Sequence, residues 1–133
     1  TIKDFETKNV WSLFENIANK GINIDMISQT APINNYVNIS FTIAKEDLND
    51  CRDIASIYSK GENIIIDDNI TKLSLVGLGM KNTAGVASQV FKIFKEHNIN
   101  VKLITTSEIK ISCAINSCDK EIAINEIGRV FNV

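Results

Sequence analysis

The chain has 133 residues, 44% of them hydrophobic and 23% charged, with a formal net charge of −2. That is enough chain for one ordinary domain or two very small ones of globular composition. The weak negative charge lacks the basic face of a nucleic-acid binder and the polybasic stretch of a membrane-surface contact, and no apolar run nears the roughly 20 residues that cross a bilayer.

The opening Thr1-Ile2-Lys3-Asp4-Phe5 has no apolar signal-peptide core, so a cytoplasmic location is expected, and a start at Thr1 rather than Met reads as a fragment of something longer. Thr1 to Phe5 is a candidate strand weakened by Asp4. From Val10 to Lys20 the apolar Val10, Leu13, Phe14 and Ile17 keep helical spacing, and Gly21 is placed to stop the helix. Ile22, Ile24 and Met26 then alternate with Asn23 and Asp25, as in a strand. Pro32, Asn34 and Asn35 mark a turn into a partner strand, Tyr36 to Ile43, with Val37, Ile39, Phe41 and Ile43 on one face. Cys51, Ile54, Ala55 and Tyr58 form one stripe of a second helix, which Gly61 is expected to end. Ile64-Ile65-Ile66 reads as a short apolar strand closed by Asp67-Asp68. The order is βαββαβ.

The same order restarts. Leu73, Leu75 and Val76 form a strand leading into Gly77-Leu78-Gly79; a helix follows through Val86, Val90, Ile93, Phe94 and His97. Next come a strand from Ile99 to Thr105, an alternation through Ile109, Ile111 and Cys113, and a helix from Ile122 to Phe131. Phe14, Ile22, Asn23 and Ile27 reappear 77 residues on as Phe91, Ile99, Asn100 and Ile104. Ile39, Ser40 and Ile43 reappear 72 residues on as Ile111, Ser112 and Ile115. A period this long is a duplicated small α+β domain, not a solenoid unit. The predicted domains are residues 1–69 and 70–133. The second has no fourth strand, and an open apolar edge is a liability; the missing strand is expected from elsewhere, upstream of Thr1 or from another chain.

A split βαβ unit serves many functions, so the function must be read from its side chains. RNA binding by stacked aromatics fails, because the central strands carry Ile, Val, Met and Cys with Tyr36 and Phe41 isolated. An iron–sulfur centre needs four cysteines at set spacing, and Cys51, Cys113 and Cys118 do not supply them. Cys113 and Cys118 resemble a metal half-site, but a single His leaves too few ligands for zinc. Reduced thiols, no metal and no cofactor are expected. His97 reads as a helix-end surface residue complementing the dipole, and Asp67-Asp68 as a solvated turn. No catalytic constellation stands out.

What remains is recognition of a small metabolite. Gly77-Leu78-Gly79-Met80-Lys81-Asn82-Thr83-Ala84-Gly85-Val86 is a glycine-containing loop opening a helix, whose free N–H groups attract a carboxylate or phosphate. Asn82 or Thr83 is placed to cap, and Gly85 admits close approach. The spacing is neither Gly-x-Gly-x-x-Gly nor a phosphate loop. Taken alone, the same glycines would also serve a tight turn.

Lys72-Leu-Ser-Leu-Val-Gly-Leu-Gly-Met80, with Gly85-Val86-Ala87, Ile99-Asn100-Val101 and Ile104 through Ser112, strongly resembles the second ACT domain of aspartate kinases. Gly21 through Gln29 and Ile39-Ser40-Phe41-Thr42 resemble the preceding ACT domain, and Asp67-Asp68-Asn69 with Lys72 the link between the two. The resemblance implies two ferredoxin-like βαββαβ ACT domains in tandem, α+β, with antiparallel sheets and helices on one face. It also implies the C-terminal regulatory region of an aspartate kinase, which binds an end-product amino acid, lysine or threonine, and feedback-inhibits a kinase domain elsewhere in the parent chain. Sheets pairing edge to edge in a homodimer, a strand borrowed from before the first domain, and no catalysis by this segment alone are implied too.

Carried over by the resemblance, the effector loop maps to Lys81, Asn82, Thr83, Ala84, Gly85 and Val86, and the neighbouring strand gives Asn100, Val101, Ile104 and Ser107. In the first unit Gln29 matches a glutamine that reads effector polar groups, while Asn23, Ile24 and Asp25 offer backbone groups. Two places depart from the pattern. The Asp-x-Pro-Gly loop of the first unit is reduced to Glu6-Thr7-Lys8-Asn9, two residues short, and Ala84 stands where a proline is usual. The alternative is a dimerisation scaffold of the same fold that no longer senses a ligand.

Overall fold

The computed structural model describes residues 1–77 and 83–133, with the side chains of Thr83 and Ala84 left aside. The chain divides into two compact units, Thr1–Asp68 and Asn69–Val133.

In the first unit β1 (Ile2–Glu6) and β2 (Ile24–Gln29) flank a central β3 (Tyr36–Ile43), both antiparallel to it. Helices α1 (Val10–Asn19) and α2 (Leu48–Tyr58) cover one face. The three- and four-residue spacing of Val10, Leu13 and Ile17 puts all three on one side of α1, where they are buried with Phe5, Val37, Ile39, Cys51 and Ala55. Tyr58 meets Phe5 edge-on at 6.1 Å between ring centroids, and its hydroxyl accepts a hydrogen bond from Asn16.

Gly21 adopts φ +78° and ends α1: its N–H bonds Ala18 O at 2.9 Å and that of Ile22 bonds Ile17 O at 3.2 Å, which satisfies the last carbonyls. Asn34 and Asn35, at φ 51° and 68°, form a two-residue hairpin closed by reciprocal 3.0 Å bonds between Ile33 and Tyr36. Two expectations fail here. Helix α2 ends at Tyr58 because Ser59 is extended, and Gly61 lies beyond it in a 3₁₀ turn, Gly61–Asn63. The strand expected over Ile64–Ile66 shrinks to one bridge, Ile64 against Ile2, with the N–H of Ile65 bonded to Thr1 O at 2.8 Å. Asp67 and Asp68 follow directly, and residues 65–68 are exposed, so the segment does not lie against the helix-side core that would hold a longer strand.

The second unit repeats the plan with β4 (Ile70–Val76), α3 (Thr83–Glu96), β5 (Val101–Thr106), β6 (Lys110–Asn116) and α4 (Lys120–Phe131), in sheet order β4-β6-β5. Val90, Ile93, Phe94, Ile99, Ile111, Cys113, Ile115, Ala123 and Ile127 make its core. Asn98, at φ 54°, does at the end of α3 what Gly21 does for α1, and the N–H of Ile99 bonds Phe94 O at 2.8 Å. Together these are two antiparallel α+β units of one plan, as the duplicated sequence pattern predicts.

The ladders repeat at the level of single residues. Ile27 faces Phe41 as Ile104 faces Cys113; Ser28 faces Ser40 as Thr105 faces Ser112. Both edge strands slip register at the same point, between Ile24 and Ile27 and between Val101 and Leu103. In the first unit Thr42 Oγ1 accepts the N–H of Met26 at 3.0 Å within that slip.

Candidate functional site

The second unit sets the frame for the candidate site. β4 pairs with β6 through seven consecutive residue pairs, from Ile70 against Asn116 to Val76 against Lys110, and the N–H of Gly77 bonds Ile109 O at 3.0 Å. The chain then leaves the sheet for the loop to α3. Lys81 and Asn82 lie outside the described residues, as does Asn82 as a cap; Thr83 and Ala84 open α3, Gly85 is exposed and Val86 half-buried.

Ser107 lies at this same end of the sheet. Its N–H bonds Lys110 O at 2.8 Å, and its hydroxyl is 3.4 Å from the N–H of Ile109, in the turn joining β5 to β6. Ile104 sits mid-strand against Cys113, half-buried. Asn100 and Val101 are at the opposite end, where Val101 faces Ile115. The five-residue step along β6 from Lys110 to Ile115 separates the two groups by about 17 Å at about 3.3 Å per residue. The first unit is split the same way: Asn23, Ile24 and Asp25 start β2, while Gln29, exposed and facing Ile39, ends it. No single unit therefore brings its strand-start residues to its own loop.

Other features escaped the sequence. Asp4 takes φ 50° inside β1, where the register slips between Ile2 and Phe5; its N–H is caught by Asn38 Oδ1 at 3.0 Å. A charged residue in a candidate strand was the signal. An apolar groove of about 540 Å³ runs beside β4, lined by Leu73, Leu75, Val86, Ile127 and Phe131 among others, and no strand pairs with the outer edge of β4 among the described residues. His97 stands at the end of α3 as expected, half-exposed, but with Nε2 3.5 Å from Glu126 Oε2. Arg129 Nη2 donates to the same oxygen at 2.8 Å. The Arg129 hydrogen bond above all, with charge from Arg129 and His97, holds the Glu126 carboxyl below its ordinary value against an opposing effect of burial.

Cys51 and Cys113 are buried and Cys118 exposed, all as free thiols. Burial pushes the Cys113 thiol up to about 11, which leaves it protonated and unreactive at neutral pH. Among the described residues no group of three or more His, Cys, Asp or Glu could hold a metal, and no helix is long and apolar enough to cross a membrane.

Comparison with known proteins accounts for this frame. The sequence profile of the ACT domain family matches residues 11–54 and 73–131. A chain in the crystal structure of aspartokinase alpha and beta subunits superposes with a TM-score of 0.84 at 31% identity, covering 99% of this chain and 90% of that one. The ligand-free regulatory subunit of aspartate kinase from Thermus thermophilus gives 0.83 at 26% identity, covering 98% and 89%. The chain belongs to the ACT domain family, as a tandem pair like those of aspartokinase regulatory chains. It is 37% identical over 122 residues to the aspartokinase of Helicobacter pylori, a match spanning 91% of this chain and 30% of that protein.

Proposed function

We propose that this chain is the amino-acid-sensing regulatory region of an aspartate kinase, which binds an end-product amino acid, lysine or threonine, and transmits it to a kinase domain as feedback inhibition. The observation that carries the reading is the second unit's frame. The chain leaves the sheet after Gly77 and enters α3 at Thr83, with Gly85 in the first turn of that helix, beside a sheet whose β5 edge is unpaired among the described residues. Helix-start N–H groups attract a carboxylate, and strand carbonyls accept from an ammonium, so the two ends of a free amino acid find opposite partners.

The 17 Å split within a sheet gives the site its form. An amino acid held at the start of α3 by Gly85 and Val86 reaches strand-start groups such as Asn100 and Val101 only if another sheet edge runs antiparallel alongside. The reading therefore includes edge-to-edge pairing in a homodimer, with the ligand at the junction. The effector shifts the kinase only through its differential affinity for two arrangements, typically about 1–3 kcal/mol of coupling.

Calorimetry of this chain with lysine, threonine and methionine tests the reading. Heat is expected with one of the first two, weakened at least tenfold by Asn100→Ala. The absence of heat with all three would leave the scaffold reading, which the short first-unit turn favours: pairing without sensing.

A further inference from the structure

We propose that the first unit carries a site for a small organic cation, a primary ammonium on an aliphatic stem, in a cavity where its β2–β3 hairpin meets β1. The cavity measures about 680 Å³. Its polar lining is Asp4 of β1, Thr30, Asn34, Tyr36 and Asn38 of the hairpin, and Asn63 of the 3₁₀ turn. All belong to the first unit, and none is among the residues carried over for the effector.

The site begins with a conflict in β1. Side chains alternate between the two faces of a strand, so Ile2 and Phe5, three apart, would point to opposite sides. Both are buried, at 2% and 1% exposure. The register slip between them reconciles the two, and Asp4 absorbs it at φ 50°. Bulges of this kind re-aim a side chain, and here the exposed one is a carboxylate on the wall of the cavity.

Asn38 fixes the geometry before any ligand arrives. Its Oδ1 accepts the N–H of Asp4 at 3.0 Å, its own N–H donates to Thr30 Oγ1 at 2.9 Å, and its carbonyl accepts the N–H of Thr30 at 3.0 Å. One residue of the central strand thus ties the bulge in β1 to the hairpin, and a wall held in place costs a ligand little ordering on binding. Left-handed backbone in non-glycine residues gathers at ligand clamps, and Asp4 and Asn34 both bring it to this cavity.

Chemistry selects the occupant. Asp4 is the one charged residue of the lining, and no lysine or arginine stands there to neutralise it. An anion is repelled, while an ammonium finds the carboxylate and, beside it, the side-chain carbonyls of Asn34 and Asn63 and the Tyr36 hydroxyl. A divalent metal ion, which draws on several charged oxygens, is poorly served by one carboxylate. Ala31 and Ile33, both exposed, offer an aliphatic stem a short apolar wall.

Two-dimensional NMR of this chain, titrated with butylammonium chloride at neutral pH, tests the site. Saturable shifts are expected at Asp4, along the hairpin from Ala31 to Asn38 and at Asn63, and none with butanol, which has the same stem without the charge. Asp4→Asn keeps a residue that tolerates the left-handed backbone and should weaken binding about fivefold, the worth of one exposed ion pair. Should that variant lose its dispersed spectrum, Asp4→Gly removes the same carboxylate and suits the same backbone. No saturable shift, shifts spread over both units, or equal affinity without the carboxylate overturns the site. Equal shifts with magnesium chloride would do so as well, by showing a response to any cation.

Discussion

β2 and β5 slip register at the same point and end in matched pairs, whereas β1 and β4 have diverged: β1 is broken at Asp4 and runs into a 3₁₀ turn, while β4 pairs without interruption up to its glycine loop. The edge strands β2 and β5 share one geometry in both units, whereas the connection from first strand to first helix is shorter in the first unit. A short turn in one unit does no harm to the other, because each unit buries its own core.

The cores give the strongest test of that independence. Ile39 and Ile111 are fully buried at equivalent points of the two central strands. Replacing either with Ala is expected to cost about 2–5 kcal/mol through lost burial and a residual cavity. Hydrogen exchange followed in urea should show protection falling in the altered unit alone; equal loss in both units would mean that they fold as one and would break the comparison.

A smaller effect is expected at the divergent strand. Asp4 holds a left-handed conformation that costs a non-glycine residue about 1–2 kcal/mol, less for Asp than for most. Asp4→Gly should therefore stabilise the chain by about 0.5–1 kcal/mol in urea denaturation, net of the unfolded-state entropy of glycine. A destabilisation would show that the Asp4 side chain has a task the bond from its N–H to Asn38 does not reveal.

The smallest effect separates the units by pH. Glu126 titrates below its ordinary 4.5 when folded, chiefly through Arg129. Its contribution is present above pH 4.5 and lost as pH falls through the lowered folded value. Glu126→Gln should flatten the acid limb of the second unit's stability curve, measured between pH 3 and 6, and leave the first unit's unchanged. An unaltered limb would show the pair to be inert on the surface.

Much of this was legible in advance because local chemistry is decisive where it is strong. Gly21 and Asn34-Asn35 name their own backbone conformations, and the spacing of Val10, Leu13 and Ile17 permits one buried face. Asn98 is less legible, since asparagine reaches the left-handed region with a weaker preference than glycine. Ile64-Ile65-Ile66 misled, because an apolar run says that burial is wanted without saying that a partner strand is in reach for more than one bridge. For the candidate site, the sequence picked out the glycine loop and the strand starts, but not that they lie at opposite ends of a sheet.

By itself the sequence determined the duplication, the order of elements and the two apolar faces, since periodicity and turn residues act over a few positions. Tertiary structure alone decided the register slip at Asp4, the pairing of His97 with Glu126 and the separation of loop from strand start. Each depends on which residues far apart in the chain are brought side by side, and nothing in a residue's immediate neighbours encodes that distance.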